Sequence, residues 1–238
     1  WGRPRFVKEM FQEFYPGFLG YAGYISAFFD ANVGRYVLYL AIIPPKADPT
    51  VFVTRLESDD PYNWEAPAYD TSVTPAWKGF QNVVVDQAGE RFWPFSVFPL
   101  AGTPLADKGY VAAEWVRPGG MPKMESQIQG VSAIGYAKDG ITFAMDRDNP
   151  WRRPGADAPG NFVWNEQADL FHIYTRSSNV DRRIDASTSP DLQTFSPRAT
   201  VIHPDALDRV GTEFYDMPVR PYEDLFVGFL HVQTVDHY

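Results

Sequence analysis

Apolar residues along this chain recur at every second position or in unbroken runs, and nowhere hold the three-to-four spacing of a long amphipathic helix. Tyr24 to Asp30, Arg35 to Ile43 and Val51 to Leu56 read as strands, with Ala31-Asn32-Val33-Gly34 as the first turn and Pro44-Pro45 ending the second strand. Ser58 to Pro67 reads as a loop. The pattern restarts at Gln81 to Val85, followed by a turn over Asp86 to Gly89. Phe92 to Leu100 is aromatic but broken by Pro94 and Pro99, so it reads as irregular. Tyr110 to Val116 and Gly130 to Ala137 come next, separated by an exposed Pro118-Gly119-Gly120 connection. Ile141 to Met145 is a short outer strand, and Asp146 to Pro159 a loop rich in Pro, Asp and Arg. The one helical hint, Glu9 to Phe14, is stopped by Pro16-Gly17.

From Gly155 to Val232 two similar passages follow one another. Each has acids in a Gly-containing lead-in, Asp157 in the first and Glu213 with Asp216 in the second. Short apolar runs follow, Phe162 to Trp164 and Met217 to Val219. After a polar turn come second runs, Leu170 to Tyr174 and Leu225 to Leu230. These are two hairpins, each with a carboxylate at the mouth of its first strand. A propeller assembles a pocket on its axis from such equivalent strand starts.

A finer repeat runs beneath. Ser58 to Trp64, Ala137 to Phe143 and Ser189 to Phe195 share a template: a small residue two before an Asp, an aromatic four after it. The Asps are 79 and 52 residues apart, and a period near ~50 suits four-stranded blades. Asp60, Asp139 and Asp191 would cap turns between third and outer strands, the aromatics packing between blades. The fold class expected is all-β, a five-bladed β-propeller, as one domain over residues 1–238.

Composition narrows the function. Net charge is −9 without a basic stripe, only isolated doublets at Arg152-Arg153 and Arg182-Arg183, which excludes ordinary nucleic-acid binding. With no cysteine, disulfides and thiolate metal sites are excluded. The longest apolar run, Tyr36 to Pro45, is too short to span a bilayer as a helix, so no membrane partner is expected. No signal peptide is visible, yet Trp1 is not a natural start; a secreted or periplasmic location stays open. Aromatics make up 16% of the chain and suit both strands and sugar-stacking pockets.

The segments VFVTRLESDDPYNWEAP (51–67), GVSAIGYAKDGITF (130–143), ADAPGNFVWNEQADLFHIYTRSSNVDRRIDASTSPDLQTFSP (156–197) and GTEFYDMPVRPYEDLFVGFL (211–230) cover about half the chain. Through them it resembles five-bladed propeller glycosidases of the invertase-like and arabinanase-like group, and bacterial proteins related to them. The resemblance implies a funnel with three acids at innermost strand starts: a nucleophile or base, a group that holds sugar or tunes pKa, and a general acid. Carried over, Asp157 is base or stabiliser and Glu213 the acid, with Asp216 the competing choice. One acid is missing from the pattern: residues 14–23, FYPGFLGYAG, contain none, and Asp70 is displaced from the next strand.

Around these acids, Trp151 is the preferred stacking face, and Asn161, Arg183 and Arg220 are candidates for sugar hydroxyls. Arg176 shares that role; each arginine could instead hold a carboxylate. His172 reads as a packed mid-strand residue. His231 and His237 form a weak pair, and no metal or organic cofactor is implied. The leading expectation is hydrolysis of an oligo- or polysaccharide. Its rivals are a non-catalytic carbohydrate-binding propeller, favoured by the missing acid, and a glycoside phosphorylase, kept open by the arginines.

Overall fold

The computed structural model describes residues 13–15, 21–43, 52–60, 62–70, 79–87, 94–115, 131–152, 161–177 and 182–235. The chain divides into two compact units, Trp1–Ala112 with Gly135–Met145, and Ala113–Ile134 with Asp146–Tyr238. The expected helical turn keeps only its end among the described residues, at Glu13 and Phe14. Among the described residues the other regular structure is strand, apart from one 3-10 turn at Ala106–Lys108.

The first sheet begins with β1 (Tyr21–Asp30), β2 (Arg35–Ile43), β3 (Phe52–Ser58) and β4 (Val83–Asp86). Beside them lie β5 (Pro94–Pro99), β6 (Tyr110–Trp115), β7 (Val131–Ala137) and β8 (Thr142–Arg152), in the order β1-β2-β3-β4-β8-β7-β6-β5. Two four-stranded sets thus meet at their fourth strands. That seam is parallel, Val85 opposite Thr142 and Asp86 opposite Phe143.

Strand β2 shows why some apolar runs are unbroken. Val37, Tyr39 and Ala41 face one core with Val53, Val84, Val97, Tyr110, Ala112, Ala137 and Phe143. Leu38, Leu40 and Ile42 face another with Tyr15, Phe52, Leu56 and Val83. A strand buried on both faces has no polar alternation to show. The first core joins side chains of both four-stranded sets. Arg55 is 1% exposed in this region. Its guanidinium meets Glu57 at 2.8 Å and Asp30 at 3.9 Å, and donates to the Asp139 carbonyl at 3.0 Å. Tyr110 donates to Asp30, and burial, then that bond, pushes its hydroxyl up to about 12.

In the second unit, β9 (Asn161–Asn165), β10 (Leu170–Arg176), β11 (Ile184–Ser189) and β12 (Ala199–Ile202) form an antiparallel sheet in the order β12-β11-β10-β9. Then β13 (Thr212–Asp216) pairs with β16 (His231–Thr234), and β14 (Val219–Tyr222) with β15 (Leu225–Gly228). Val163, Ile184, Phe214, Met217 and Val219 make the core they share.

Strands of successive sets are also tied to one another within each unit. The Val97 N–H of β5 donates to Ser26 Oγ of β1 at 2.9 Å. The Val219 N–H of β14 donates to Asn161 Oδ1 of β9 at 3.0 Å. Each side-chain oxygen, buried at Ser26 and part-buried at Asn161, thereby satisfies a backbone donor.

The three repeated Asps occupy one structural position, between the third and fourth strand of each set. Asp60 Oδ1 accepts from the N–H groups of Tyr62 and Asn63 at 2.7 and 2.8 Å. Asp139 accepts from Ile141 and Thr142 at 2.8 and 2.9 Å, and Asp191 from Gln193 and Thr194 at 2.9 and 2.8 Å. Their role is capping, as expected. Of the aromatics, Phe143 is fully buried in the core that joins two sets. Gly140 lets the second turn fold tightly: at φ +70° its carbonyl accepts from Tyr39 Oη at 2.8 Å.

Three expectations need correction. Phe92 to Leu100 is not irregular: Pro94 and Pro99 are the first and last residues of β5, where prolines are tolerated. The outer strand does not stop at Met145 but runs to Arg152, taking in half of the expected loop. The passage around Glu213 is not a lead-in but a strand in its own right, β13, whose partner β16 follows the second hairpin.

Candidate active site

The acid-bearing segment of the second unit is β13 and the two residues, Met217 and Pro218, joining it to β14. Thr212, Glu213 and Phe214 pair in order with Thr234, Gln233 and Val232, after which Asp216 pairs with His231. Tyr215 is therefore an extra residue, a β-bulge that turns two consecutive side chains toward one partner. The Tyr215 ring lies 5.2 Å from the His231 ring.

Two arginines close on the same tyrosine. Arg176, buried at the end of β10, sits 4.2 Å from the Tyr215 ring centroid, and Arg182, just before β11, at 5.4 Å. Guanidinium groups over an aromatic face are held by its quadrupole. Arg182 also forms an ion pair with Glu213, whose Oε2 accepts from Gln233 Nε2 at 2.9 Å. Glu213 is 6% exposed, and the buried carboxylate is compensated by this pair.

Asp216 differs. Burial pushes its carboxyl above the usual carboxylate range, against the downward pull of the Met217 N–H, 2.8 Å from Oδ1, and of positive charge at His231 and Arg176. Desolvation disfavours the charged form and here outweighs all three. Two acids three residues apart thus have different surroundings: one tied in an ion pair, one inclined to keep its proton.

Of the other expected residues, Asn161 lies at the start of β9, and its side chain holds the start of β14 rather than facing outward alone. Arg220 donates to the Val219 carbonyl at 2.9 Å, and burial lowers its guanidinium from the ordinary value. Arg183 exchanges bonds with Ser177, and its Nε lies 3.9 Å from Asp185, which Arg198 meets at 2.9 Å. His172 is half-buried, stacked on Tyr174 at 6.3 Å and tilted against Phe226 at 5.7 Å, the packing residue expected. Asp70 is exposed in the first unit. Asp157, His237 and the side chain of Trp151, a residue of β8, lie outside what the structure describes. The sequence reading missed Arg182, Tyr215 and Gln233 as site residues. A bulge leaves no periodic mark, although TEFYD opposite HVQT is a recognisable strand pair once β16 is known. Among the described residues no group of three or more His, Asp or Glu could hold a metal ion, and no helix is long and apolar enough to cross a membrane.

No protein-family model matches the chain, and no curated protein matches it either. Solved structures do. A family 32 β-fructofuranosidase of Bombyx mori aligns with a TM-score of 0.60 and 12% identity over 97% of this chain and 47% of its own. An N-acetylgalactosamine deacetylase from F. plautii, solved with blood group B trisaccharide, aligns at 0.58 and 13% over 91% and 63%. A family 43 protein, XynB of Bacillus licheniformis, aligns at 0.57 and 8% over 90% and 37%. At such identities the likeness is one of fold: the chain has the β-propeller fold of family 32 and 43 glycoside hydrolases. It spans less than two thirds of each of these proteins.

Proposed function

We propose that the protein hydrolyses a glycosidic bond in an oligo- or polysaccharide, with Asp216 as general acid and Asp157 as base or stabiliser. Fold alone does not choose this, since the same architecture carries a deacetylase among its neighbours. The observation that carries it is the Asp216 carboxyl, part-buried three residues before β14 and held by desolvation above the usual carboxylate range. A glycosidic oxygen leaves with a proton, and the donor must still hold one near neutral pH. The resemblance points to Glu213 for this task. Its engagement by Arg182 and Gln233 suits a positioning role better, because an ion-paired carboxylate resists protonation. Asn161 supports Asp216 by fixing the strand that follows it. Five blades belong to the same proposal, three four-stranded sets and strands β13 to β16 making four of them.

The test is turnover on a panel of aryl glycosides and oligosaccharides, comparing wild type with Asp216→Asn. Loss of about 10²–10⁴ in kcat is expected, with a urea midpoint no lower than that of wild type. Wild-type turnover in the Asn variant would remove Asp216 from the chemistry, and activity only with added phosphate would favour the phosphorylase.

A further inference from the structure

The core contacts of β13 and of the residue after it break the alternation of a regular strand. Phe214 and Met217 both face the core formed with Val163, Ile184 and Val219. They stand three residues apart, whereas a regular strand returns to one face at every second residue. Tyr215 and Asp216, between them, are each only part-buried. The bulge accounts for this: with Tyr215 as the extra residue, Asp216 takes the place opposite His231. In unbroken register Asp216 would share the face of Phe214, toward the core.

A bulge leaves its extra residue without a ladder partner, so other contacts have to hold it. Arg182 touches three successive residues of β13. Its carbonyl accepts from the Phe214 N–H at 3.0 Å. Its guanidinium forms the ion pair with Glu213 and lies 5.4 Å from the Tyr215 ring centroid. Arg176 meets the same ring at 4.2 Å. A planar guanidinium donates along its edge to a carboxylate while its face lies on an aromatic ring, which the point charge of a lysine does not reproduce.

We propose that Arg182 is a positioning residue: by holding Glu213, Phe214 and Tyr215 it fixes the bulge in β13 and keeps the Asp216 carboxyl turned away from the core, where a leaving group can take its proton. This rests on the reading of Asp216 as the acid. Arg182 acts through the strand and not on the sugar.

The experiment uses the full chain with Arg182→Lys, which keeps a charge beside Glu213, and Arg182→Gln, which removes it. The first readout is amide hydrogen exchange at Phe214 and at Met217, whose N–H is held by Asp216 Oδ1 at 2.8 Å. Both variants are expected to speed exchange at these two amides about tenfold, with Ile173, fully buried in β10, unchanged. Unchanged exchange at Phe214 and Met217, or an equal rise at Ile173, overturns the proposal whether or not any sugar is cleaved. The second readout is turnover. On alkyl glycosides, whose leaving group needs the proton, both variants are expected to lower kcat about 10–100-fold with KM within about twofold. On dinitrophenyl glycosides, whose leaving group departs unprotonated, the loss is expected to stay below about threefold. Tyr215→Leu is expected to give the same split, and Tyr215→Phe to recover most of the loss because the ring face returns. Equal losses on both leaving groups, or full activity of Arg182→Lys on alkyl glycosides, overturn the positioning role. Failure of the hydrolase reading is distinguishable: wild type is then inactive on every glycoside, and the exchange rates still decide whether Arg182 holds the bulge.

Discussion

Gly140→Ala is the sharpest test of how the repeated turns join neighbouring four-stranded sets. At φ +70° a Cβ on residue 140 would stand 2.6 Å from Tyr39 Oη, 2.7 Å from Arg55 Nη1 and 3.2 Å from a Tyr110 ring carbon. All three neighbours are almost fully buried, with Tyr39 and Arg55 at 2% and 1% exposure. Left-handed backbone costs an Ala about 1 kcal/mol. Overpacking against residues that cannot retreat adds about 1–3 kcal/mol. Displacing the Tyr39 hydroxyl from the Gly140 carbonyl adds about 1 kcal/mol more. The expected loss is therefore about 3–5 kcal/mol. Gly34→Ala is the control: its φ is +68°, but nothing lies within 4 Å of the added carbon, so only the backbone cost of about 1 kcal/mol applies. Urea unfolding followed by tryptophan fluorescence and by far-ultraviolet circular dichroism measures both. If the two variants fall within about 0.5 kcal/mol of one another, the close approach at Gly140 is not what the turn depends on, and the packing account fails.

Other outcomes follow from single contacts. Asp139→Ala removes one oxygen that serves two N–H groups and is expected to cost about 1 kcal/mol by urea midpoint, with Asp139→Asn recovering most of it. Glu213→Gln leaves Arg182 without its counter-charge; because Arg182 is partly exposed, the loss is expected at about 1–2 kcal/mol rather than the larger figure for a fully buried pair. Asp216 has a folded pKa above its unfolded value of about 3.9. Its contribution to stability is complete below that pH and is lost as pH rises through the folded pKa. Asp216→Asn is thus expected to gain urea midpoint relative to wild type as pH rises from about 4 through the folded pKa, and a constant difference would contradict the burial argument.

The strands read most easily from the sequence are those with the strictest burial. Arg35 to Ile43 shows as one run because both faces of β2 are covered, and the capped turns show because Asp and aromatic keep fixed offsets. Phe92 to Leu100 was missed because proline argues against strand in general, while its position at both ends of β5 removes the objection. The hairpins at Phe162 and Leu225 were legible; the pairing of Thr212–Asp216 with His231–Thr234 was not, because the two strands are joined only through the hairpin between them. For the same reason the resemblance puts Glu213 first and Asp216 second, with nothing in the spacing to test that order. Their ranking depends on Arg182, Gln233 and a one-residue bulge, none of which follows from spacing.

The outer strands of the sheets meet different fates. By hydrogen-bonding to β8 through Val85 and Asp86, β4 gives up the free rim that a fourth strand would otherwise present. Ala199–Ile202 ends its own sheet with all four residues exposed, Val201 and Ile202 among them. A foreign strand seeking a template would find one there and none at β4, so self-association through main-chain pairing is expected to begin at that second-unit margin, and a lysine at Val201 to suppress it.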